Sequence, residues 1–447
     1  MGYGMPGKAG RVEMKTFKGD PTLEFADAGT VRSAQEERLR RHLQWCARQS
    51  PYYRRVFKAA RIKPGRFGLD SLRDLPLTGK TDLALNNDEF LAVPPAAVAD
   101  IVLSSGTTGK PVRILYTDRD LRRLAYNEQI SFAGCGVGPS DIALLTCTMD
   151  RCFIAGLAYF LGIRAVGAAA IRNGHGTLAG HFEIIKTIKP TVLVGVPSFL
   201  RKLAGYLAEH GLEPRDTGVS KLVCIGEPVR GPDMALLPLG SDLEAAWKAD
   251  IYSTYASSEC ISTFCECTAK CGGHLHPDLA IVEILDGAGR TVPAGEVGEV
   301  VVTPLDIEGM PLIRFKTGDV SFLMTEPCSC GRTSPRLGPI IGRKQQMMKV
   351  RGTTLYPQAV FTALDDLPGL GDTYLEITSG ADLSDELTVH VADRPGVPSP
   401  EQIREHLQAR LRVTPVIVVD PAEKVRQHLY SPESRKPVRV WDRRKHQ

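Results

Sequence analysis

Apolar runs of strand length alternate with segments of helical length through the middle of the chain. From Ile101 onward these runs read IVLSS, IALLTC, TVLVGV, KLVCIG and ADIYST. Runs that are apolar at consecutive positions are typical of strands buried on both faces, as in a parallel sheet covered by helices. The pattern therefore predicts an α/β fold whose central sheet is mostly parallel.

Two flanking regions show other periodicities. Between Ala34 and Ser50 the apolar residues Leu39, Leu43 and Ala47 recur every four positions among charges, which predicts an amphipathic surface helix. After the apolar runs come IVEILD, GEVGEVVVTPL and LIRFKTGDVSFLM, broken by glycine and aspartate. These segments predict antiparallel strands and hence a second sheet region.

The pattern changes again near Gly342. The rest of the chain predicts a strand, a helix, two strands, a helix and a strand, among them TYLEITS, ELTVHVA, SPEQIREHLQARL and TPVIVVD. We therefore expect a large N-terminal domain of several subdomains over residues 1–342 and a small, mobile α+β C-terminal domain over residues 343–447. The smaller domain is too short to enclose a large pocket alone, so a shared site should lie at the boundary.

Length and composition favour a folded protein that works on small molecules. The chain has 447 residues, of which 43% are hydrophobic and 24% charged, close to the average for globular proteins. Lys and Arg number 55 against 51 for Asp and Glu, and no dense basic block is interleaved with aromatic residues. Nucleic acid is therefore not expected as a partner.

The segment that most resembles a membrane span runs from Cys152 to Ile171. Arg164 interrupts this segment and small residues dominate its second half, so we predict a buried helix followed by a buried strand, with no membrane role. The chain has eleven cysteines, and the N-terminal stretch MGYGMPGKAGRVEMK lacks the apolar run of a secretory leader. Both observations favour a reducing cytoplasm.

A loop rich in hydroxyl groups and glycine follows the apolar strand ADIVL directly. It reads Ser104, Ser105, Gly106, Thr107, Thr108, Gly109, Lys110. The glycines allow the backbone to approach an anion closely, the hydroxyls can donate to phosphate oxygens, and the lysine supplies a mobile positive charge. The spacing is not that of a Walker loop. We interpret the loop as a phosphate-binding loop; the alternative is an ordinary Ser/Thr/Gly turn.

Further motifs follow in an order that resembles the adenylate-forming superfamily. They are Tyr255-Ala256-Ser257-Ser258-Glu259, Gly318-Asp319 within RFKTGDV, Gly342-Arg343, and Lys436 within SRKPVRV. More narrowly, SPYYRRVFKAARI, GEPV at Gly226, MPLIRFKTGDV and RGTTLYPQAV make the chain similar to phenylacetate-CoA ligases almost from end to end. Several motifs in order are far more specific than any one of them.

The resemblance implies an AMP-forming acid–CoA ligase. Such an enzyme uses ATP and Mg²⁺ to convert a small or aryl carboxylic acid into an acyl-adenylate, releases pyrophosphate, and passes the acyl group to coenzyme A. Two alternatives stay open. One is an amide ligase in which an amine takes the acyl group without coenzyme A, and the other is a scaffold or sensor that holds ATP without turnover. The sequence is compatible with a homodimer and leaves the acid open.

The resemblance also assigns roles to residues. Glu259 would bind Mg²⁺, because a hard cation prefers carboxylate oxygens, and Asp319 would accept hydrogen bonds from the ribose hydroxyls. Taken alone, these two residues could equally be a solvated glutamate and a turn aspartate. The remaining nucleotide and coenzyme A contacts are expected from Ser104–Lys110, with Thr108 as a catalytic member, and from Gly226, Glu227, Pro228, Tyr255, Ser258, Arg343 and Gly352.

Lys436 is similar in position to the C-terminal catalytic lysine of the family. One full charge at about 4 Å from the reacting centre contributes on the order of 4 kcal/mol at an effective dielectric constant near 20. The alternative is a disordered basic end, because WDRRKHQ follows.

In the family the small domain rotates between an adenylating and a thioester-forming arrangement, and the loop around Gly352 would line a tunnel for coenzyme A. Two positions depart from the family pattern: Gln345 stands at the hinge in place of an acidic residue or lysine, and Arg435 replaces a glycine before Lys436. The second half-reaction is therefore less firmly implied than the first.

Cysteines and histidines cluster in two loops. The first contains Cys260, Cys265, Cys267, Cys271, His274 and His276, and the second contains Cys328 and Cys330. Thiolates and an imidazole satisfy tetrahedral zinc, and some phenylacetate-CoA ligase relatives have a structural metal here. The family spacing implies Cys267, His274, Cys328 and Cys330 as ligands, with Cys265 and Cys271 as rivals. The alternative is a set of reduced core cysteines.

The segment where aryl-activating relatives are rich in tyrosine and phenylalanine is unusually polar in this chain. It contains Thr148, Asp150, Arg151 and Phe153, of which only the last is aromatic. We predict that Thr148, Asp150 and Phe153 line the acid pocket, and that the acid is more polar or smaller than phenylacetate. Both charges could instead face solvent or pair with each other.

Overall fold

The structure, a computed structural model, describes residues 17–104, 112–350, 353–380, 384–430 and 437–444. The helices in these ranges are α1 (Ala28–Gln49), α2 (Pro51–Ala59), α3 (Lys80–Leu85), α4 (Asp118–Gly134), α5 (Ile154–Val166), α6 (Leu178–Ile188), α7 (Pro197–Glu209), α8 (Pro238–Trp247), α9 (Pro357–Asp365), α10 (Pro400–Leu411) and α11 (Ala422–Leu429).

Strands make up most of the remaining regular structure. The strands up to Cys265 are β1 (Val98–Ser104), β2 (Val112–Thr117), β3 (Ile142–Leu145), β4 (Ala169–Arg172), β5 (Val192–Gly195), β6 (Lys221–Ile225), β7 (Asp250–Ser257) and β8 (Ser262–Cys265). They continue with β9 (Gly273–His274), β10 (Ala280–Leu285), β11 (Gly298–Pro304), β12 (Phe315–Ser321), β13 (Leu323–Met324), β14 (Arg336–Leu337) and β15 (Gly342–Arg343). The last are β16 (Met348–Val350), β17 (Thr353–Leu355), β18 (Thr373–Ser379), β19 (Asp385–Asp393), β20 (Val416–Pro421) and β21 (Val440–Asp442).

The central sheet has six strands in the order β4-β3-β5-β6-β7-β8. Every neighbouring pair is parallel except the last, in which β8 returns antiparallel to β7. The helices α5 to α8 connect the strands. The predicted α/β fold with a mostly parallel sheet is confirmed.

Consecutive residues of the central strands face opposite sides of the sheet and enter two separate cores, as expected for strands buried on both faces. One core contains Leu144, Leu193 and Leu222 together with Leu203 of α7 and Trp247 of α8. The other contains their neighbours Leu145, Val194 and Val223 together with Phe132 of α4 and Tyr159 of α5.

One apolar run does not join the central sheet. The described residues of IVLSS, Ile101 to Ser104, lie in β1, which pairs antiparallel with β2 in a sheet of two strands. Its outward positions explain the difference, since Ile101 is 51% exposed and the strand is buried on one face only. The prediction that this run belongs to the parallel sheet is wrong.

The segment from Cys152 to Ile171 forms α5 followed by β4, as predicted in order and type. The strand differs from the prediction in its burial, because β4 is the edge of the sheet and its four residues are exposed or half-buried. No helix in the described ranges is long and apolar enough to cross a membrane.

A second region combines antiparallel strands with the N-terminal helices. The order β10-β11-β12-β15 forms a sheet of four antiparallel strands. Its inner face shares one core with Leu39, Leu43 and Cys46 of α1. This helix begins at Ala28, earlier than the periodicity indicated, because the Asp27 carboxylate accepts from the amides of Gly29 and Thr30 and caps it.

The C-terminal part builds a sheet in the order β20-β19-β18-β21 with its own core under α9 and α10. The segments TYLEITS, ELTVHVA, SPEQIREHLQARL and TPVIVVD lie in β18, β19, α10 and β20, as predicted. The hairpin β16–β17, the helix α11 and the strand β21 add to the predicted order. The strands β16, β17 and β21 have only three residues each and carry little periodic signal, whereas α11 has eight residues and was not predicted.

Candidate active site

A cavity of about 1590 Å³ opens at the carboxyl ends of the parallel strands. Its wall includes Thr146, Val196 and Gly226, which follow β3, β5 and β6, and much of β7. Ligands of open parallel sheets bind at this edge. Pro357 and Val438 also line the cavity, so it receives residues from both sides of position 342.

Glu259 lies in the tight turn between β7 and β8 and is 7% exposed. The Ser257 hydroxyl donates to one carboxylate oxygen at 3.1 Å, and the Lys80 ammonium lies 3.4 Å from the other. Burial raises the pKa of this carboxyl, but the positive charge of Lys80 and the hydrogen bonds outweigh burial, so its pKa lies below the usual value. The cavity therefore contains a charged carboxylate suited to a divalent cation.

The hydroxyl of Tyr255 joins two of the predicted motifs by donating to the Asp319 carboxylate at 2.8 Å. Asp319 follows Gly318, whose φ of +79° produces the local bend in β12. Arg343 sits opposite Asp319 across the β12–β15 pair, with its Nε 3.4 Å from the carboxylate. The structure thus brings Tyr255, Asp319 and Arg343 together on the cavity wall.

Gly226, Glu227 and Pro228 follow β6 and line the same cavity. The Glu227 carboxylate accepts from the Ser198 amide at 2.9 Å and from the Ser198 hydroxyl at 3.0 Å. Because Ser198 stands in the first turn of α7, these bonds cap that helix. Both carboxylate oxygens of Glu227 therefore have a partner within the protein.

The predicted acid segment lies between β3 and α5. Thr148 and Phe153 are half-buried and Asp150 is exposed, and all three line the cavity. Arg151 and Cys152 both have positive φ, 58° and 54°, so the chain turns sharply here before α5.

Several predicted residues lie outside the described ranges: Ser105, Gly106, Thr107, Thr108, Gly109, Lys110, Gly352 and Lys436. The residues on either side are described. Ser104 ends β1 and lines the cavity, as does Lys80. Ser258 also lines the cavity, and its carbonyl accepts from the Tyr116 hydroxyl at 2.8 Å. The hydroxyl-rich loop therefore starts at the cavity.

The four residues implied as metal ligands form one compact cluster. The metal-binding atoms of Cys267, His274, Cys328 and Cys330 all lie within 4.8 Å of one another. The sulfurs of Cys267 and Cys328 are 3.6 Å apart, and the Cys330 sulfur is 3.4 Å from Nε2 of His274. Cys265 instead accepts from the Thr254 hydroxyl, and Cys271 is not part of the cluster.

These separations fit a tetrahedral zinc site. A zinc ion about 2.3 Å from each sulfur puts two sulfurs about 3.8 Å apart. The other ring nitrogen of His274 contacts the Ser334 hydroxyl at 3.2 Å, the kind of outer contact that orients a metal-binding imidazole. Gly331, with φ of +88°, closes the turn that brings Cys328 and Cys330 to one side.

Comparison with known proteins agrees with this geometry. Residues 47–304 match the family model described as AMP-binding enzyme. The phenylacetate-coenzyme A ligase of Thermus thermophilus is 32% identical over 380 residues, which is 83% of each chain. The enzyme of the same name from Escherichia coli is 30% identical over 383 residues, covering 83% of this chain and 84% of that one.

The chain belongs to the phenylacetate-coenzyme A ligase family of AMP-binding enzymes.

Solved structures of a 2-hydroxyisobutyryl-CoA ligase have the same fold. Its postadenylation state in complex with R3-HIB-AMP superposes with a TM-score of 0.83 at 24% identity and covers 94% of this chain and 91% of that one. Its thioesterification state in complex with 2-HIB-AMP and CoA gives a TM-score of 0.70 at 26% identity and covers 95% and 92%. The likeness extends over nearly the whole of both chains.

Two residues of the cavity wall with ionisable side chains, Lys80 and Glu128, were not predicted from the sequence. Lys80 starts the short helix α3 and gives no local signal, because only the fold brings it to Glu259. Glu128 lines the cavity from α4. Its signal was a polar residue four positions after the buried Leu124, on the inward face of an amphipathic helix.

Proposed function

We propose that the chain is an AMP-forming acid–CoA ligase. It converts a carboxylic acid and ATP into an acyl-adenylate with release of pyrophosphate, and then transfers the acyl group to coenzyme A. One observation carries the proposal: three features of this family's fold line the same cavity. They are the Glu259 carboxylate, the hydrogen-bonded pair Tyr255–Asp319, and Ser104 at the end of β1, where the hydroxyl-rich loop begins.

In the first half-reaction Glu259 would hold Mg²⁺, which neutralises phosphate charge when bound. Support comes from the lowered pKa of its carboxyl and its position at the strand edge. Asp319 would accept the ribose hydroxyls, with Tyr255 and Arg343 orienting its carboxylate. Lys80, whose ammonium lies 3.4 Å from the Glu259 carboxylate, would contact the phosphates.

Most of the remaining contacts belong to residues outside the described ranges, apart from Ser104, Ser258 and the GEPV segment. The loop Ser104–Lys110 would surround the phosphates, with Thr108 as a catalytic member, and Ser258 and the GEPV backbone would complete the nucleotide site. Lys436 would bring a positive charge to the reacting carboxylate and α-phosphate. Positioning and charge neutralisation suffice, since phosphoryl chemistry requires little covalent participation from the protein.

The second half-reaction involves the C-terminal part. We propose that residues 343–447 form a mobile domain, with Gly352 at the coenzyme A tunnel and Gln345 at the hinge. The separate core under α9 and α10 supports this division. Thr148, Asp150 and Phe153 would contact the acid on the other side of the cavity.

The Cys/His cluster is proposed to hold a structural zinc ion through Cys267, His274, Cys328 and Cys330. It would tie the loop after β8 to the loop before β14. The ligands are absent from the cavity wall, so a stabilising role is proposed rather than a catalytic one. Zinc binding by thiolates requires reduced cysteines, which supports a cytoplasmic location.

The experiment uses the full chain with ATP, Mg²⁺ and pooled carboxylic acids. We expect acid-dependent exchange of labelled pyrophosphate into ATP, and acyl-CoA and AMP by mass spectrometry once coenzyme A is added. Lys436→Ala should lose exchange while Lys424→Ala, a surface control in α11, retains it. Amide products from added amines, with no thioester, would favour the amide ligase, and absence of exchange over a broad panel would refute acid activation.

A further inference from the structure

The part of the cavity wall formed by α4, α5 and β8 contains a carboxyl group that the steps above do not use. Glu128 on α4 is 2% exposed and lines the same cavity as Glu259. The helices also contribute Leu124, Ile154 and Ala158 to this wall, all buried and apolar. A carboxyl group in such surroundings needs a polar partner.

The protein supplies this carboxyl group with one partner among the described residues. The Thr263 hydroxyl donates to one oxygen of Glu128. Thr263 is itself held in place by Asn127, whose side-chain amide donates to the Thr263 carbonyl at 2.9 Å and accepts from its amide at 2.8 Å. This two-way pairing orients the β8 backbone so that the hydroxyl faces Glu128.

The other buried carboxylates of the cavity wall are balanced by cations. Glu259 faces Lys80 at 3.4 Å, and Glu266 accepts from Arg230 at 2.8 Å as well as from the Ser253 amide at 2.8 Å. In the described part of the chain, no Lys or Arg forms an ion pair with Glu128. Burial accordingly raises the pKa of the Glu128 carboxyl to about 7, although the Thr263 hydrogen bond opposes the shift.

The stem of Glu128 is held tightly. A Cβ added to Gly162 of α5 would lie 2.2 Å from the Glu128 Cβ, so the backbone of α5 passes directly against the side chain. The base of the side chain is thus packed against α5, one carboxyl oxygen is bound by Thr263, and the second oxygen is available to a ligand in this part of the cavity.

From these contacts we infer that Glu128 determines specificity by accepting a hydrogen bond from the acid substrate. The enzyme thus prefers acids with a hydroxyl or amino group remote from the reacting carboxylate. The inference rests on the proposed function and narrows its substrate class. An acid lacking the donor leaves a buried acceptor without a partner, and sites of this kind reject such analogues strongly.

The first test compares matched acids on the wild-type chain by acid-dependent pyrophosphate exchange at pH 8, where the Glu128 carboxyl is largely ionised and its second oxygen can only accept. Each skeleton, aryl or alkyl, is offered with a terminal hydroxyl, amino, methyl or methoxy group. We expect kcat/KM for the best donor-bearing acid to exceed that of its methyl analogue by about 10- to 100-fold. The hydroxyl and amino acids compete in the same assay, which identifies the donor.

Variants then assign the preference to Glu128. Glu128→Leu should reduce the ratio between donor and methyl acids to about one while still activating the methyl acid, because the apolar side chain favours the methyl group. Glu128→Gln keeps the shape and an acceptor oxygen, and should retain part of the preference. Glu183→Leu, an exposed glutamate on α6, is the matched control and should leave the ratio unchanged.

The outcomes separate the two proposals. Exchange with several acids but no donor preference, a preference for methoxy acids, or a ratio unchanged by Glu128→Leu overturns the role of Glu128 and leaves acid activation standing. Exchange with no acid overturns acid activation and this inference with it. If Glu128→Leu does not fold, the wild-type panel and Glu128→Gln still decide, since neither outcome depends on the leucine variant.

Discussion

Two parts of the cavity wall differ in the partners that they provide for their carboxyl groups. At the proposed nucleotide end Glu259 lies 3.4 Å from Lys80, and Asp319 lies 3.4 Å from Arg343 and accepts from Tyr255. At the proposed acid end Glu128 has one hydroxyl partner, Thr263, and no ion-paired Lys or Arg in the described ranges. Although burial opposes it, the Lys80 charge helps to hold the pKa of the Glu259 carboxyl below its usual value, whereas burial raises the pKa of the Glu128 carboxyl to about 7.

The difference follows from the ligands that each end is proposed to receive. Mg²⁺ and phosphates carry fixed charges, so the nucleotide end must already be charged and ordered before they bind. A hydroxyl or amino substituent on the acid offers a hydrogen bond, and a carboxyl group whose one protein partner is the Thr263 hydroxyl can distinguish acids that provide a second one. The comparison therefore predicts that mutations at the two ends have different effects.

The largest effect is expected from Glu259→Gln. Loss of the negative charge should lower kcat/KM for every acid on the order of 10²- to 10³-fold, because a neutral amide holds Mg²⁺ weakly. Pyrophosphate exchange with several acids measures the change. Glu209→Gln, an exposed position in α7, is the control. A loss confined to particular acids would break the division between the two ends.

The second effect concerns stability and arises at the acid end. The unfolded carboxyl of Glu128 ionises near pH 4.5, whereas the folded one keeps its proton to about pH 7. Raising the pH through this window therefore lowers the free energy of unfolding of the wild type, by up to about 3 kcal/mol, and the loss is complete above pH 7. The amide of Glu128→Gln cannot ionise, so the stability of this variant should not show this loss.

Urea unfolding of both proteins at pH 5 and pH 8 measures the effect. The free energy of unfolding of Glu128→Gln, relative to that of the wild type, should be higher at pH 8 than at pH 5. Glu183→Gln should have the wild-type free energy of unfolding at both pH values. Parallel curves for wild type and Glu128→Gln would mean that Glu128 ionises normally, and the contrast between the two ends would be lost.

A smaller loss is expected for Lys80→Met. The methionine keeps the length of the side chain but removes the charge beside Glu259, so the pKa of Glu259 should rise and KM for MgATP should increase about tenfold. Initial rates at varied MgATP test this, with Lys63→Met as the exposed control. An unchanged KM for MgATP would remove Lys80 from the nucleotide end.

The smallest effect on either end is expected from loss of the proposed zinc. Cys328→Ala should remove about one zinc ion per chain and lower the thermal midpoint by about 5 °C or more, measured by mass spectrometry of metals and by scanning calorimetry. The ratio between donor-bearing and methyl acids should stay within about twofold of wild type, since the cluster does not line the cavity.

Cys46→Ala is the control for this change, because Cys46 is a buried core cysteine outside the cluster. It should keep the metal. Equal metal content in Cys328→Ala and wild type would refute the site, and a large change in acid preference would show that the cluster and the cavity are coupled.

The sequence motifs indicated more residues of the proposed nucleotide end than of the proposed acid end. Tyr255, Glu259, Asp319 and Arg343 stand in short motifs whose order could be read directly, and the central strands were visible because they are apolar on both faces. β1 was assigned to the wrong sheet, because a half-buried strand and a fully buried one look alike over a few residues.

Glu128 and Lys80 could not be assigned in the same way. The partner of Glu128 is Thr263, 135 positions away in the chain, and Lys80 is as dependent on the fold to meet Glu259. Such contacts depend on how helices pack on the sheet, so they cannot be predicted from residue type or from local spacing in the sequence. The acid segment at Thr148, Asp150 and Phe153 is predicted from position alone, and its polarity favours a polar acid without indicating Glu128.

The contact between Gly162 and Glu128 has a consequence for directed evolution. Any side chain at position 162 would collide with the glutamate stem, so a library that varies position 162 alone should yield few active clones. Shortening the side chain at position 128 does not make room, because alanine keeps the colliding Cβ, and with glycine the backbone carbonyl carbon and Cα of residue 128 would still lie 2.9 and 3.1 Å from an added Cβ. A library should therefore keep glycine at position 162 and seek changes of acid preference at position 128.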